Sequence, residues 1–324
     1  MDEAEAEARA ETKAEAEKRR EERFLEVTEH FRRNALLIIQ KMMKLNHSRD
    51  NQTIQLVDEI LHSIFFLGKI NTPPISPDRI VNEGLYDKLK DSYPQPFELY
   101  SSQLPRRSPF SCLLDMIVFL EGRENENEIK QKLQEIIRDL KLHKGAPLVS
   151  STICVSQKNP NSARYYGVSM STSSKVPRQI MIAASCLPGS WDSHVAGAVM
   201  SFNQDKNKKS YFDGTIKLPE HVTCKAYSLH GEGAPMQPCK SCVELFGLVG
   251  NKTTGYAHGN CAEVESVSNL FKTDAEVREQ ARPTSEKFTD DNRSKAEKSV
   301  RDYLMNEREI RHFSRDFEFY TPSE

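Results

Sequence analysis

A change of hydrophobic period at Gly145-Ala146-Pro147 constrains this chain more than any other feature of its sequence. Upstream, apolar residues recur every three or four positions, the period of a helix with one buried face. Downstream, short runs rich in Ile, Val, Tyr and Met alternate with turn residues, the pattern of strands. A chain that switches in this way predicts a helical domain followed by a layered α/β domain.

The upstream part divides in two. Residues 1–23 hold nine acidic and six basic side chains and no apolar stripe, which predicts a solvated charged helix or a disordered tail. From residue 24 to residue 145 the spacing predicts four or five helices. Phe24, Val27, Phe31, Ala35, Ile38 and Met42 form one face. Ile54, Val57, Ile60, Leu61 and Ile64 form another, after a break at 46–53, with Gly68 as a stop. Phe110–Leu120 is an apolar run, and Glu126–Leu142 is an amphipathic helix carrying Ile129, Leu133, Ile136 and Ile137. His30, His47 and His62 lack ligand spacing and read as surface or core histidines.

Residues 148–272 form the α/β part. Ser151–Ser156, Arg164–Met170 and Gln179–Cys186 are predicted strands, followed by a helix at about 190–203 and a strand at Val222–Leu229. Two short helices are expected to start near Cys239 and Cys261. Residues 273–324 read as a helical, charged extension interrupted at Arg282-Pro283-Thr284, with Ala296, Val300, Tyr303 and Leu304 as a weak apolar stripe.

Composition excludes several classes. No apolar stretch approaches the ~18 residues of a membrane span. The charged start, Met1-Asp2-Glu3-Ala4, is not a secretory signal. A net charge of −2 gives no overall electrostatic case for nucleic acid. Seven cysteines make a poor disulfide framework and suit a reducing compartment, so the cytoplasm is expected, with the nucleus also open.

The chemistry-bearing segment is Pro238-Cys239-Lys240-Ser241-Cys242 followed by His258-Gly259-Asn260-Cys261-Ala262-Glu263. Two thiolates three positions apart at a helix N-terminus can point at one metal ion, and the helix dipole favours their ionised form. Cys261 supplies a third sulfur. Three cysteine ligands leave one tetrahedral position of a zinc ion for water. Glu263, two residues on, is then placed to take a proton from that water and pass it to a leaving amine.

These motifs, P-C-x-x-C and C-A-E, resemble the zinc signature of the cytidine deaminase superfamily. The resemblance implies a deaminase-like layered fold. It assigns Cys239, Cys242 and Cys261 as zinc ligands and Glu263 as the proton shuttle. It implies hydrolytic deamination of a cytosine-type nucleoside, nucleotide or nucleic-acid base. Two short motifs within about 25 residues carry it, and it does not extend to the helical domain or the tail. The motif order is reversed: in the family the glutamate helix comes first, whereas here 18 residues separate Cys242 from the later Cys261. By position in the family's topology, His194 or Cys186 would be the third ligand, with no glutamate beside either.

A second reading stands beside the enzyme. Cys239, Cys242, His258 and Cys261 also have the spacing of a closed Cys3His zinc site, in a non-enzymatic interaction protein that could bind a partner through its N-terminal helices. His230-Gly231-Glu232 is an H-x-E too close to Cys239 to be the family's glutamate helix. Lys206–Lys209 and Arg164-Tyr165-Tyr166 are weaker candidates for phosphate and base contacts, with solvated loop and strand positions the plainer reading.

Overall fold

The computed structural model describes residues 3–46, 50–140, 146–203, 206–310 and 317–323. It is a mixed α/β structure. His47, Gly145 and Phe313 lie outside the described residues.

The first helix, α1 (Glu3–Leu45), runs unbroken from the charged segment into the apolar one. Its buried face is Phe31, Ala35, Ile38, Ile39 and Met42. The next, α2 (Asn51–Lys69), starts where Asp50 accepts the Gln52 N–H at 2.9 Å, a side-chain cap that satisfies one of the free amides of the first turn. From Leu56 to Gly68 it is buried on nearly all sides, and it is the central element of the helical part. Against it pack α5 (Pro94–Leu99) and α6 (Pro109–Glu121), while α3 (Pro77–Ile80) lies on α1, α4 (Glu83–Ser92) connects α3 to α5, and α7 (Glu126–Asp139) lies on α6. Pro77 and Pro94 each start a short helix, since a first-turn residue needs no amide donor.

The second half contains β2 (Thr152–Gln157), β3 (Tyr165–Val168), β4 (Thr223–Ser228) and β5 (Pro235–Met236), in the spatial order β3-β2-β4-β5 with every neighbouring pair antiparallel. Alternation along β2 assigns each face a neighbour. Ile153 and Val155 enter the core shared with the N-terminal helices. Cys154 and Ser156 face the other way, toward α11 (Ala262–Thr273), where Cys154 packs with Ala262 and Ser156 bonds Ser266 at 2.6 Å. β2 and β3 are therefore buried on both sides, with helices in front and α11 behind.

Between β3 and β4 lie α8 (Lys175–Cys186) and α9 (Ser193–Met200). The first corrects the expectation of a strand at Gln179–Cys186. Ile180 and Met181 belong to the core of the N-terminal helices, while Ile182 and Cys186 belong to a second core with α9. Residues 180–186 are buried without interruption between the two cores, and a continuous buried run does not display a 3.6-residue period in its hydrophobicity. Ala183 and Ala184 favour helix there, and Ser185 Oγ donates to Met181 O at 2.8 Å.

The sheet's last strand leads to α10 (Lys240–Phe246), and α11 is followed by α12 (Ala275–Gln280) and α13 (Asp290–Asn306), which packs on α8 through its apolar stripe. The tail is not helical throughout. Its end, β6 (Glu318–Phe319), pairs in parallel with β1 (Gln103–Leu104). Tyr320 is buried there, stacked on His62 with ring centroids 3.7 Å apart and bonded through its hydroxyl to Asp58. Burial pushes the His62 pKa down to about 3, so it is a neutral core histidine. No helix among the described residues is long and apolar enough to cross a membrane.

Candidate metal centre

Two helix N-termini converge. Cys239 is the N-cap residue of α10, and Cys261 is the N-cap residue of α11. The chain between them folds back over α10. Gly247 ends α10 in a left-handed conformation (φ 63°). The Lys240 N–H then donates to Thr254 O at 3.1 Å, and Ser241 Oγ to Tyr256 O at 2.5 Å. Asn260 O accepts the Met170 N–H at 2.9 Å, which ties the end of this loop to the strand-following segment of β3.

Backbone proximity fixes α11 against the sheet. A Cβ on Gly167 of β3 would lie 2.3 Å from Ser266 N and 2.6 Å from Ala262 O, so only glycine permits this approach. The first turn of α11, with Cys261 at its cap and Glu263 inside it, is thereby held over β2 and β3.

The sulfurs of Cys239 and Cys242 stand 3.7 Å apart and those of Cys239 and Cys261 3.4 Å, with all three within 4.8 Å of one another. Tetrahedral zinc with sulfur at about 2.3 Å requires sulfur–sulfur distances of about 3.8 Å, so this donor set fits the ion. Cys242 is fully buried, and Cys239 and Cys261 face a cavity. Contacts from the Cys242 and Cys261 thiols pull the Cys239 thiol far below its ordinary range, while Cys242 and Cys261 are pushed up. Three sulfurs this close can be held together as thiolates only with a cation between them.

Glu263 is 5 % exposed and lines the same cavity, of about 680 Å³. Burial pushes its carboxyl above the ordinary glutamate range, against a pull from its own backbone N–H and from the Cys242 thiol. A buried carboxyl beside a potential metal site is placed to accept a proton and to release it again.

His258 does not join the cysteine group. Its ring is stacked on Phe202, and its Nε2 is 3.0 Å from Glu244 Oε2. Burial lowers its pKa, so the neutral ring donates through Nε2 to the carboxylate. Neither positional alternative for the third ligand reaches the cluster. Cys186 lies in the second core, and His194 sits edge-on to Phe288.

The weaker candidates have structural partners. Arg164 pairs with Glu124 and Glu126, both at 3.1 Å, and the Arg123 guanidinium lies over the Tyr165 ring. Tyr166 donates through its hydroxyl to Arg123 O. Lys206 donates to Gly255 O, and Lys208 pairs with Asp213. His230 lines the cavity, while Glu232 is exposed in the turn beyond it.

Sequence reasoning did not single out Arg178, Lys252, Tyr256 or Asn260, which line the cavity with Glu263. The last three precede Cys261 in the folded-back loop, and that adjacency was the available signal. Arg178 had none, because it enters through α8. Comparison with known protein families, with curated proteins and with solved structures finds no match to this chain.

Proposed function

We propose that this chain is a zinc-dependent hydrolytic deaminase of a cytosine-type amino-heterocycle, carried as a nucleoside or nucleotide. The observation that carries this reading is the placement of the Glu263 carboxyl. It is buried, it is beside the Cys242 thiol, and it opens on the cavity that Cys239 and Cys261 also face.

Cys239, Cys242 and Cys261 would hold the metal. When bound, zinc supplies a Lewis-acid position at which water ionises near neutral pH. Glu263 accepts the proton of the attacking water as its oxygen adds to the carbon bearing the amine. Glu263 then delivers that proton to the nitrogen as the C–N bond breaks, and ammonia leaves. The raised pKa of Glu263 suits both halves of this transfer. The layered context, a sheet with α11 laid against it, agrees with what the resemblance implies. Free thiols suit a reducing compartment such as the cytoplasm.

The competing reading, a closed Cys3His zinc site in an interaction protein, needs His258 as the fourth ligand. The ring nitrogens of His258 fall outside the group formed by the three sulfurs, which argues against that role. The test is Glu263→Gln with metal analysis. The variant should keep about one zinc per chain and the wild-type melting temperature, and should lose ammonia release from cytosine nucleosides and nucleotides by at least ~10²-fold. A wild-type chain that binds no zinc, or a variant with undiminished turnover, overturns the reading.

A further inference from the structure

The cavity above the cysteines carries cationic groups that the chemistry at its floor does not use. Arg178 lines it, and its guanidinium has no hydrogen-bond or ion-pair partner among the described residues; its Nε is buried without one. Four other part-buried arginines of this chain hold carboxylates: Arg107 with Glu59, Arg164 with Glu126, Arg278 with Asp192 and Arg293 with Glu297. Arg178 is half-buried, and a guanidinium that opens on a cavity without a counter-ion gains a charge-assisted partner when an anion docks.

Two further observations concern the same cavity. Lys252 lines it and also has no ion pair among the described residues. Asn260 Oδ1 is buried there without a donor. Tyr256, 58 % exposed, adds an aromatic face. A ligand that satisfied all of these would combine an anion, a donor and a planar ring. A cavity of about 680 Å³ is in the range that encloses one molecule of that size.

We propose, building on the deaminase reading, that the substrate of this site is a free nucleoside monophosphate. Its phosphate is held by Arg178 and Lys252, a sugar hydroxyl or base N–H donates to Asn260 Oδ1, and its base reaches Glu263. A planar guanidinium matches two phosphate oxygens at once, and lysine adds a point charge. A polynucleotide would need a track of cations along several phosphates. The lining offers two cations, Arg178 and Lys252, and the chain as a whole carries a net charge of −2.

The test is calorimetric titration of the full-length Glu263→Gln chain, which binds without turnover, with CMP, UMP, AMP and GMP and their four parent nucleosides at one ionic strength. At least one monophosphate should bind tenfold or more tightly than its nucleoside. Adding Arg178→Met, which keeps the aliphatic volume, or Lys252→Ala should each remove most of that advantage and leave nucleoside affinity within about twofold. Arg178→Met should leave the melting temperature close to that of the parent chain, because the side chain holds no partner in the free protein. The proposal is overturned if no monophosphate exceeds its nucleoside, if none of the eight binds, or if the advantage survives both substitutions. It is also overturned if a short single-stranded oligonucleotide binds through Arg178 more tightly than any monophosphate. Phosphate-dependent binding in a wild-type chain that never releases ammonia would instead overturn the enzyme reading alone.

Discussion

The imidazole of His258 lies flat against the ring of Phe202, with centroids 3.6 Å apart and planes 7° from parallel, while its Nε2 stands 3.0 Å from Glu244 Oε2. This contact takes the one histidine with metal-ligand spacing to the cysteines and uses it to pack α10 against the segment after α9. His258→Ala should therefore leave zinc content unchanged, since three thiolates remain. It should lower stability by about 2–3 kcal/mol through a lost stack, a lost hydrogen bond and a cavity. Metal analysis alongside urea denaturation checks both halves, and zinc loss in a chain that stays folded would restore His258 as a ligand.

Gly167 is predicted to be the least replaceable residue of the sheet. An alanine there would drive its methyl against the backbone of α11 at Ser266 and Ala262, and backbone cannot rotate away. Gly167→Ala should cost about 3 kcal/mol and weaken zinc binding with it, because the helix that carries Cys261 must move. Gly84→Ala is the control. Its Cβ would meet nothing within 4 Å in the first turn of α4, so stability should hold or rise by about 0.5–1 kcal/mol.

Glu265 joins three elements. Its carboxyl accepts the Val168 N–H at 2.8 Å and is bonded to Ser111 of α6, while its own residue is on α11. Burial, with nearby Asp115 adding to it, pushes its pKa from 4.5 to about 7. A carboxyl whose pKa is raised by folding binds its proton more tightly in the native state. Its stabilising contribution is full below about pH 4.5 and is lost as pH rises through about 7. Between pH 4 and pH 8 this amounts to on the order of 3 kcal/mol. Glu265→Gln, which cannot ionise, should flatten that part of the dependence. Urea midpoints of both chains across this range test it, and identical pH profiles would show that Glu265 does not titrate there.

Much of this molecule is legible in one dimension because its information is local. The faces of α1, α2 and α7 follow from apolar spacing, β2, β3 and β4 from short alternating runs, and the starts of α10 and α11 from cysteines at their caps. The three sulfurs could be grouped from sequence because two share one helix turn and the third begins the next helix. What spacing could not convey depended on through-space contacts. The segment at 175–186 is helical because two cores enclose it, which erases the period that would have marked it. Residues 318–319 form a strand only because β1, some 200 residues earlier in the chain, offers an edge. His258 has the spacing of a ligand, yet Phe202 and Glu244 claim its ring. Arg178 reaches the cavity of Glu263 from a different helix, about 85 residues away in the chain. In each case the deciding partner is distant in sequence, and a pattern confined to neighbouring residues cannot register a contact that folding creates.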